Sequence, residues 1–221
     1  MVPNKFRTQR RSFGDGGEHR QSVFDSADRV LFVLIGTNLV VTTLWSKADT
    51  HLRKAMMVAF FTTSIVHLEK GNYHTVFTSM FSHVDLSQLF TNMLGLYFFG
   101  RDISHILGSK RFLGLYLAGG VLSSCAALEE QMRSRRVSPN LGANGAVNAI
   151  TALSILLYPH TTFRVFGILP VRSWFAGSLF IGRDFFDWIG KNRDALFASL
   201  ASIGCGGLYY VSMLRNVRRL R

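Results

Sequence analysis

Apolar residues along this chain are gathered into long blocks separated by polar seams. Val30–Trp45 is the cleanest block, with Asp25, Asp28 and Arg29 before it and Lys47 after it. Further blocks run over Leu86–Leu107, Arg111–Ala127, Asn144–Tyr158, Val165–Ile181 and Ala195–Leu214. Blocks of this length predict membrane-spanning helices, six in all, some of them short. One more apolar stretch, Ala55–Val66, covers only about 18 Å as a helix against a hydrocarbon core of roughly 30 Å. It is predicted as a partly embedded helix within a long first loop.

Six crossings place both ends of the domain on one side of the membrane, and the charges agree. Lys5, Arg7, Arg10, Arg11 and Arg20 precede the first block; Arg215, Arg218, Arg219 and Arg221 follow the last. Cationic residues resist translocation, so that side is expected to be the cytosol or the mitochondrial matrix. The two longest connections fall on the opposite side. Ser46–Asp85 carries His51, His67, His74 and His83; Leu128–Asn140 carries Glu129, Glu130, Arg133, Arg135 and Arg136. The domain reading is a basic arm over 1–27, a transmembrane domain over 28–214 and a basic tail over 215–221.

Composition moves the picture the same way. Hydrophobic residues make up 48% of the 221 and charged residues 17%, below the roughly 25% usual for soluble domains. The net charge of +12 could point to nucleic acid, but its concentration at the two ends fits anionic lipid such as cardiolipin. No nucleic-acid partner is expected. Cys125 and Cys205 both lie in apolar stretches and supply neither a disulfide framework nor zinc spacing, so no metal or cofactor is expected. The arginine and serine content of the arm is similar to a mitochondrial targeting segment, although Asp15, Glu18 and Asp25 weaken the match.

Chemistry enters with four stretches in order. Ser79–Gly100 reads SMFSHVDLSQLFTNMLGLYFFG, Gly108–Gly119 reads GSKRFLGLYLAG, Leu141–Ile150 reads LGANGAVNAI, and Ile203–Tyr209 reads IGCGGLY. Gly145 and Ala149 stand at helical spacing in one block, where small residues let helices approach closely, with Gly142 just before them, and Gly206 and Gly207 supply a smooth surface on another. Together the four stretches resemble the rhomboid family over roughly residues 75–214, with Phe166–Phe175 (FGILPVRSWF) similar to the opening of its fifth helix. The resemblance implies an all-α, six-helix membrane bundle.

It also implies a site. Rhomboids cut substrates within the membrane with a serine on the fourth helix and a histidine on the sixth, a nucleophile activated by a base. Here the motif matches put Asn144 at the serine and Gly204 at the histidine. A carboxamide is a poor nucleophile and glycine offers no base. The family's oxyanion-site histidine and asparagine fall at Gln88 and Asn92. The resemblance therefore implies no enzyme, but a catalytically inactive rhomboid-like protein that binds membrane proteins or helps insert or translocate them. A mitochondrial inner-membrane translocase is the expected setting. The alternatives are a structural subunit of a respiratory complex or ATP synthase and, more weakly, an endoplasmic-reticulum degradation factor.

Overall fold

The computed structural model describes residues 26–165, 169–189 and 193–219, with side chains described for 27–162, 171–179, 181–182 and 195–216. Helix α1 spans Ser26–Ser46. Three short helices follow, α2 (His51–Phe61), α3 (Ile65–Glu69) and α4 (Thr75–Thr78), the last running into a tight turn at Ser79–Phe81. The long helices α5 (Leu86–Leu107), α6 (Ser109–Ser134) and α7 (Asn144–Leu157) come next. A hairpin of β1 (Thr162–Val165) and β2 (Leu169–Arg172) leads to α8 (Ser173–Ile189) and α9 (Arg193–Arg219). Three stretches, Ala27–Ser46, Ser109–Ser134 and Ala195–Asn216, are long and apolar enough to cross a membrane, and α7 is a shorter apolar helix.

Helix ends follow local chemistry. Asp85 caps α5 by accepting the Ser87 amide at 2.9 Å, and Gly108 at φ +74° stops it. Thr50 caps α2 from Arg53 N–H. An oxygen side chain at this position satisfies one of the orphan amides of a first turn.

Three segments differ from the pattern-based expectation. The stretch Ala55–Val66 is not one helix: α2 ends at Phe61, and Thr63 pairs in a β-bridge with Asn140 before α3 begins. Helix α6 runs past Ala127 to Ser134, so half of the charged segment Leu128–Asn140 is helical, helped by a Glu129–Arg133 ion pair one turn apart. The block Val165–Ile181 opens as strand, so the described residues are not all helical. Pro170 has no amide to donate and holds Leu169 extended. The hairpin is antiparallel, with Phe163 opposite Val171.

Helix α7 is the centre, packed by α5, α6, α8 and α9. Every residue from Gly145 to Ser154 is buried. Around it lie Leu96, Phe99, Ile103, Phe112, Leu115 and Tyr116, with Leu31 and Leu34 of α1 closing the cluster. The Asn38 carboxamide of α1 donates to the Leu34 carbonyl at 2.8 Å and to the Tyr116 hydroxyl at 3.2 Å, tying α1 to α6. Small residues set the helix spacing. A Cβ added at Gly119 would lie 2.6 Å from the Ala149 Cβ; one at Gly145 would collide with Ser123, and one at Gly206 with the Ala149 carbonyl oxygen. Van der Waals contact at this range is how helices associate in lipid, where no hydrophobic force drives them together.

Candidate functional site

The first amides of α7 have no cap of their own, for Ala143 at the N-cap supplies no side-chain acceptor. The loop before α5 instead holds the two residues that lead into α7. Gly142 N–H donates to the Ser79 carbonyl at 2.9 Å, and Ala143 N–H donates to His83 Nε2 at 3.2 Å. Gly142 sits at φ +115°, a left-handed turn that glycine adopts without strain. The turn delivers Asn144 to the first position of α7.

Asn144 joins a polar network reaching into the core. Asn92 Nδ2, on α5, donates to Asn144 Oδ1 at 2.5 Å and faces His83 Nε2 at 2.9 Å. Asn92 and His83 are fully buried, and Asn144 is half-buried. The Ala143 amide donates to His83 Nε2, so that nitrogen is an acceptor. One turn further along α7, Asn148 Nδ2 meets Ser199 Oγ of α9 at 3.2 Å, and Ser202 Oγ donates to the Ser199 carbonyl at 2.8 Å.

Beside the network is a cavity of about 240 Å³ where the starts of α5, α7 and α9 meet the middle of α6. Hydroxyls of Ser79, Ser123, Ser124, Ser138 and Ser199 line it, with the amides of Gln88, Asn140 and Asn144. Among the described residues, its lining holds no histidine, lysine, arginine, aspartate or glutamate. The outer wall is fastened by the first loop. Thr63 and Asn140 exchange backbone hydrogen bonds of 2.8 and 2.7 Å. Gln131 Nε2 donates to the Ser138 carbonyl at 2.6 Å, and its Oε1 accepts Ile65 N–H at 3.3 Å.

The structure brings Asn144, Gln88 and Asn92 together and leaves Gly204 apart. Gly204 is exposed, with nothing within 4 Å of a built Cβ. The motif match at Gly204 thus falls on a face of α9 turned away from the cavity. The buried stripe of α9 runs Ala198, Ser199, Ser202, Gly206, and the residue it presents to the cavity beside Asn148 is Ser199. Glycine pairs attracted the match to IGCGGLY, whereas SLASIGCG carries the inward stripe at three- and four-residue steps. Gly145, Ala149 and Gly206 lie at the close approaches, Gly142 forms the turn, and Gly207 faces open space. Arg215 is exposed at the end of α9; the side chains of Arg218 and Arg219, and the whole of Arg221, lie outside the described residues. So does the arm before Ser26.

His83 bonds out of its own loop, to Asn92 of α5 and to the Ala143 amide at the entry to α7. A Ser–His contact does occur at Ser64 Oγ and His67 Nδ1, 3.2 Å apart, but Ser64 is the N-cap of α3 and does not line the cavity. Arg101 and His105 of α5 both face Asp28 of α1, at 3.8 and 3.1 Å. Among the described residues no group of three or more His, Cys, Asp or Glu could hold a metal ion.

Comparison with known proteins follows the same lines. The family model described as "Rhomboid domain" matches residues 70–216. Over 183 residues the chain is 33% identical to RHOMBOID-like protein 12, mitochondrial, of Arabidopsis thaliana, covering 76% of this chain and 53% of that protein. It is 35% identical over 200 residues to Rhomboid-like protein 16, chloroplastic, of the same plant, covering 83% and 61%. The human presenilin-associated rhomboid-like protein, mitochondrial, is 27% identical over 195 residues, covering 83% and 48%. The chain thus spans about half to three-fifths of the length of these relatives.

Proposed function

The chain belongs to the rhomboid family, and on that footing we propose that it works without proteolysis, as a membrane protein that binds other membrane proteins and helps them insert or translocate. The observation that carries this is the pairing of Asn144 with Asn92 beside a cavity in whose lining no described residue is a histidine. Peptide hydrolysis by the family's route needs a nucleophile in contact with a base. At the head of α7 stands a carboxamide, and the facing position on α9 holds a serine bonded to Asn148. Donors that stabilise an oxyanion accelerate nothing unless something attacks.

In this reading α1 and α5–α9 make six crossings, with the loop helices at the bilayer surface. The setting is the mitochondrial inner membrane, supported by the arginine-rich arm and by the mitochondrial names of two relatives. The chloroplastic name of another makes plastid targeting the competing outcome. Arg215, Arg218, Arg219 and Arg221 would meet cardiolipin headgroups, at roughly 1 kcal/mol for each cation held near the surface.

The test uses the purified chain in proteoliposomes with a transmembrane rhomboid substrate, together with photocrosslinkers placed at Gln88, on the cavity, and Leu208, exposed on α9. No cleavage is expected, with adducts to membrane proteins from position 88 and only lipid adducts from position 208. Specific cleavage overturns the inactivity. Absence of protein adducts at 88, with stoichiometric comigration in one complex, replaces the binding role with that of a fixed subunit.

A further inference from the structure

We propose that the Asn144 carboxamide is an internal ligand of the Asn92 amide, an autoinhibitory contact that closes the site by fastening the segment before α5 onto the start of α7. A carboxamide nitrogen has two protons to donate. Asn92 Nδ2 directs one toward His83 Nε2 at 2.9 Å and the other to Asn144 Oδ1 at 2.5 Å. Neither is left for a guest carbonyl. His83 Nε2 in turn accepts the Ala143 amide at 3.2 Å. One buried carboxamide therefore links the loop before α5, α5 itself and the entry to α7.

Side-chain length explains why asparagine makes this contact. Its Oδ1 stands one carbonyl bond, about 1.2 Å, further along the side chain than a serine hydroxyl would. A serine at 144 would stop short and leave the Asn92 donor available. Burial sharpens the effect, because at low local dielectric a satisfied network is stronger and a broken one costs more. A guest needing that donor must first displace the chain's own carbonyl. The contact is independent of whether clients exist, so its failure and that of the binding role are separable.

Hydrogen exchange and side-chain NMR of the full chain in bicelles test it. Asparagine is labelled with nitrogen-15, and the Asn92 amide is assigned by its loss in Asn92→Asp. Asn144→Ala and Asn144→Ser are expected to move the Asn92 amide proton upfield and to raise backbone exchange over residues 79–92 at least fivefold. Asn148→Ala, whose partner is Ser199, should leave 79–92 within twofold of wild type. Asn144→Asp keeps an oxygen at the same reach, suits a helix N-terminus, and should restore protection and move the proton downfield. That variant carries the test if the alanine protein does not fold. An Asn92 proton unmoved by any substitution at 144, or loop exchange within twofold in the alanine and serine variants, overturns the proposal.

Discussion

Two glycines, two residues apart on α9, should respond to alanine in opposite ways. Gly204 is exposed with open space at its Cβ position, while a Cβ on Gly206 strikes the Ala149 carbonyl oxygen and lies 3.2 Å from the Ala152 Cβ. Relief at Gly206 requires α9 to retreat from α7 by about 1 Å, since optimal heavy-atom contact is near 3.5–4.0 Å. The obstacle is backbone, which cannot rotate aside. Overpacking costs about 1–3 kcal/mol, and the upper half of that range is expected here. At Gly204 alanine removes only the entropy penalty of a helical glycine, a gain of roughly 0.5–1 kcal/mol. The pair should therefore differ by about 3 kcal/mol, or by roughly 6–12 °C in Tm at the 2–4 °C per kcal/mol typical of this chain length. Thermal or SDS-titrated unfolding in a mild detergent, followed by circular dichroism, measures it. Equal effects at both sites, or a larger loss at Gly204, would refute the register of α9 and with it the assignment of Ser199 to the cavity.

Other outcomes follow from the same geometry. Asn144→Ser with Ser199→His should gain labelling by a fluorophosphonate probe at position 144, whereas Asn144→Ser with Gly204→His should not. Positions 199 and 204 lie about 140° apart around the helix and about 7.5 Å along it, so labelling of the second pair alone would reverse the assignment. Arg135 ends α6 at φ +53°, so Arg135→Gly should stabilise by about 1 kcal/mol in the same unfolding assay; a loss would contradict the left-handed cap. Trp45 Nε1 donates to Ser82 Oγ at 2.6 Å, joining α1 to the loop. Trp45→Phe should cost about 1 kcal/mol and speed proteolysis within residues 47–82; unchanged digestion would remove that tether.

The fold was legible wherever apolar length alone decides structure. Leu86–Leu107 coincides with α5, and Asn144–Tyr158 with α7 to within one residue. Boundaries failed where partners distant in sequence take over. Nothing local in Ala55–Val66 announces that Thr63 pairs with Asn140, and the charged end of α6 reads as loop until its Glu129–Arg133 pair is seen. Half of the site was readable as well. Gln88, Asn92 and Asn144 sit in motifs with fixed spacing on one helix or one turn. On α9 the glycines that carried the motif match and the residues that face the cavity differ, because repeated small residues leave the register ambiguous. Only packing resolves it: Gly206, not Gly204, meets α7. Ser199 had a signal available, a stripe of small residues ending at Gly206, but nothing chemical to single it out. His83 escaped for a related reason, since its partners lie 9 and 60 residues away.

The crowding of α7 against α9 has a bearing on how the protein is made. Asn148 finds the Ser199 hydroxyl, and Ala149 finds the smooth surface of Gly206, only after α9 has left the ribosome and entered the bilayer. Until then a polar amide at the heart of the bundle faces lipid or a chaperone. Assembly of this contact must wait for α9, and a nascent chain arrested before Ser199 would display the mark of an orphan to membrane quality control.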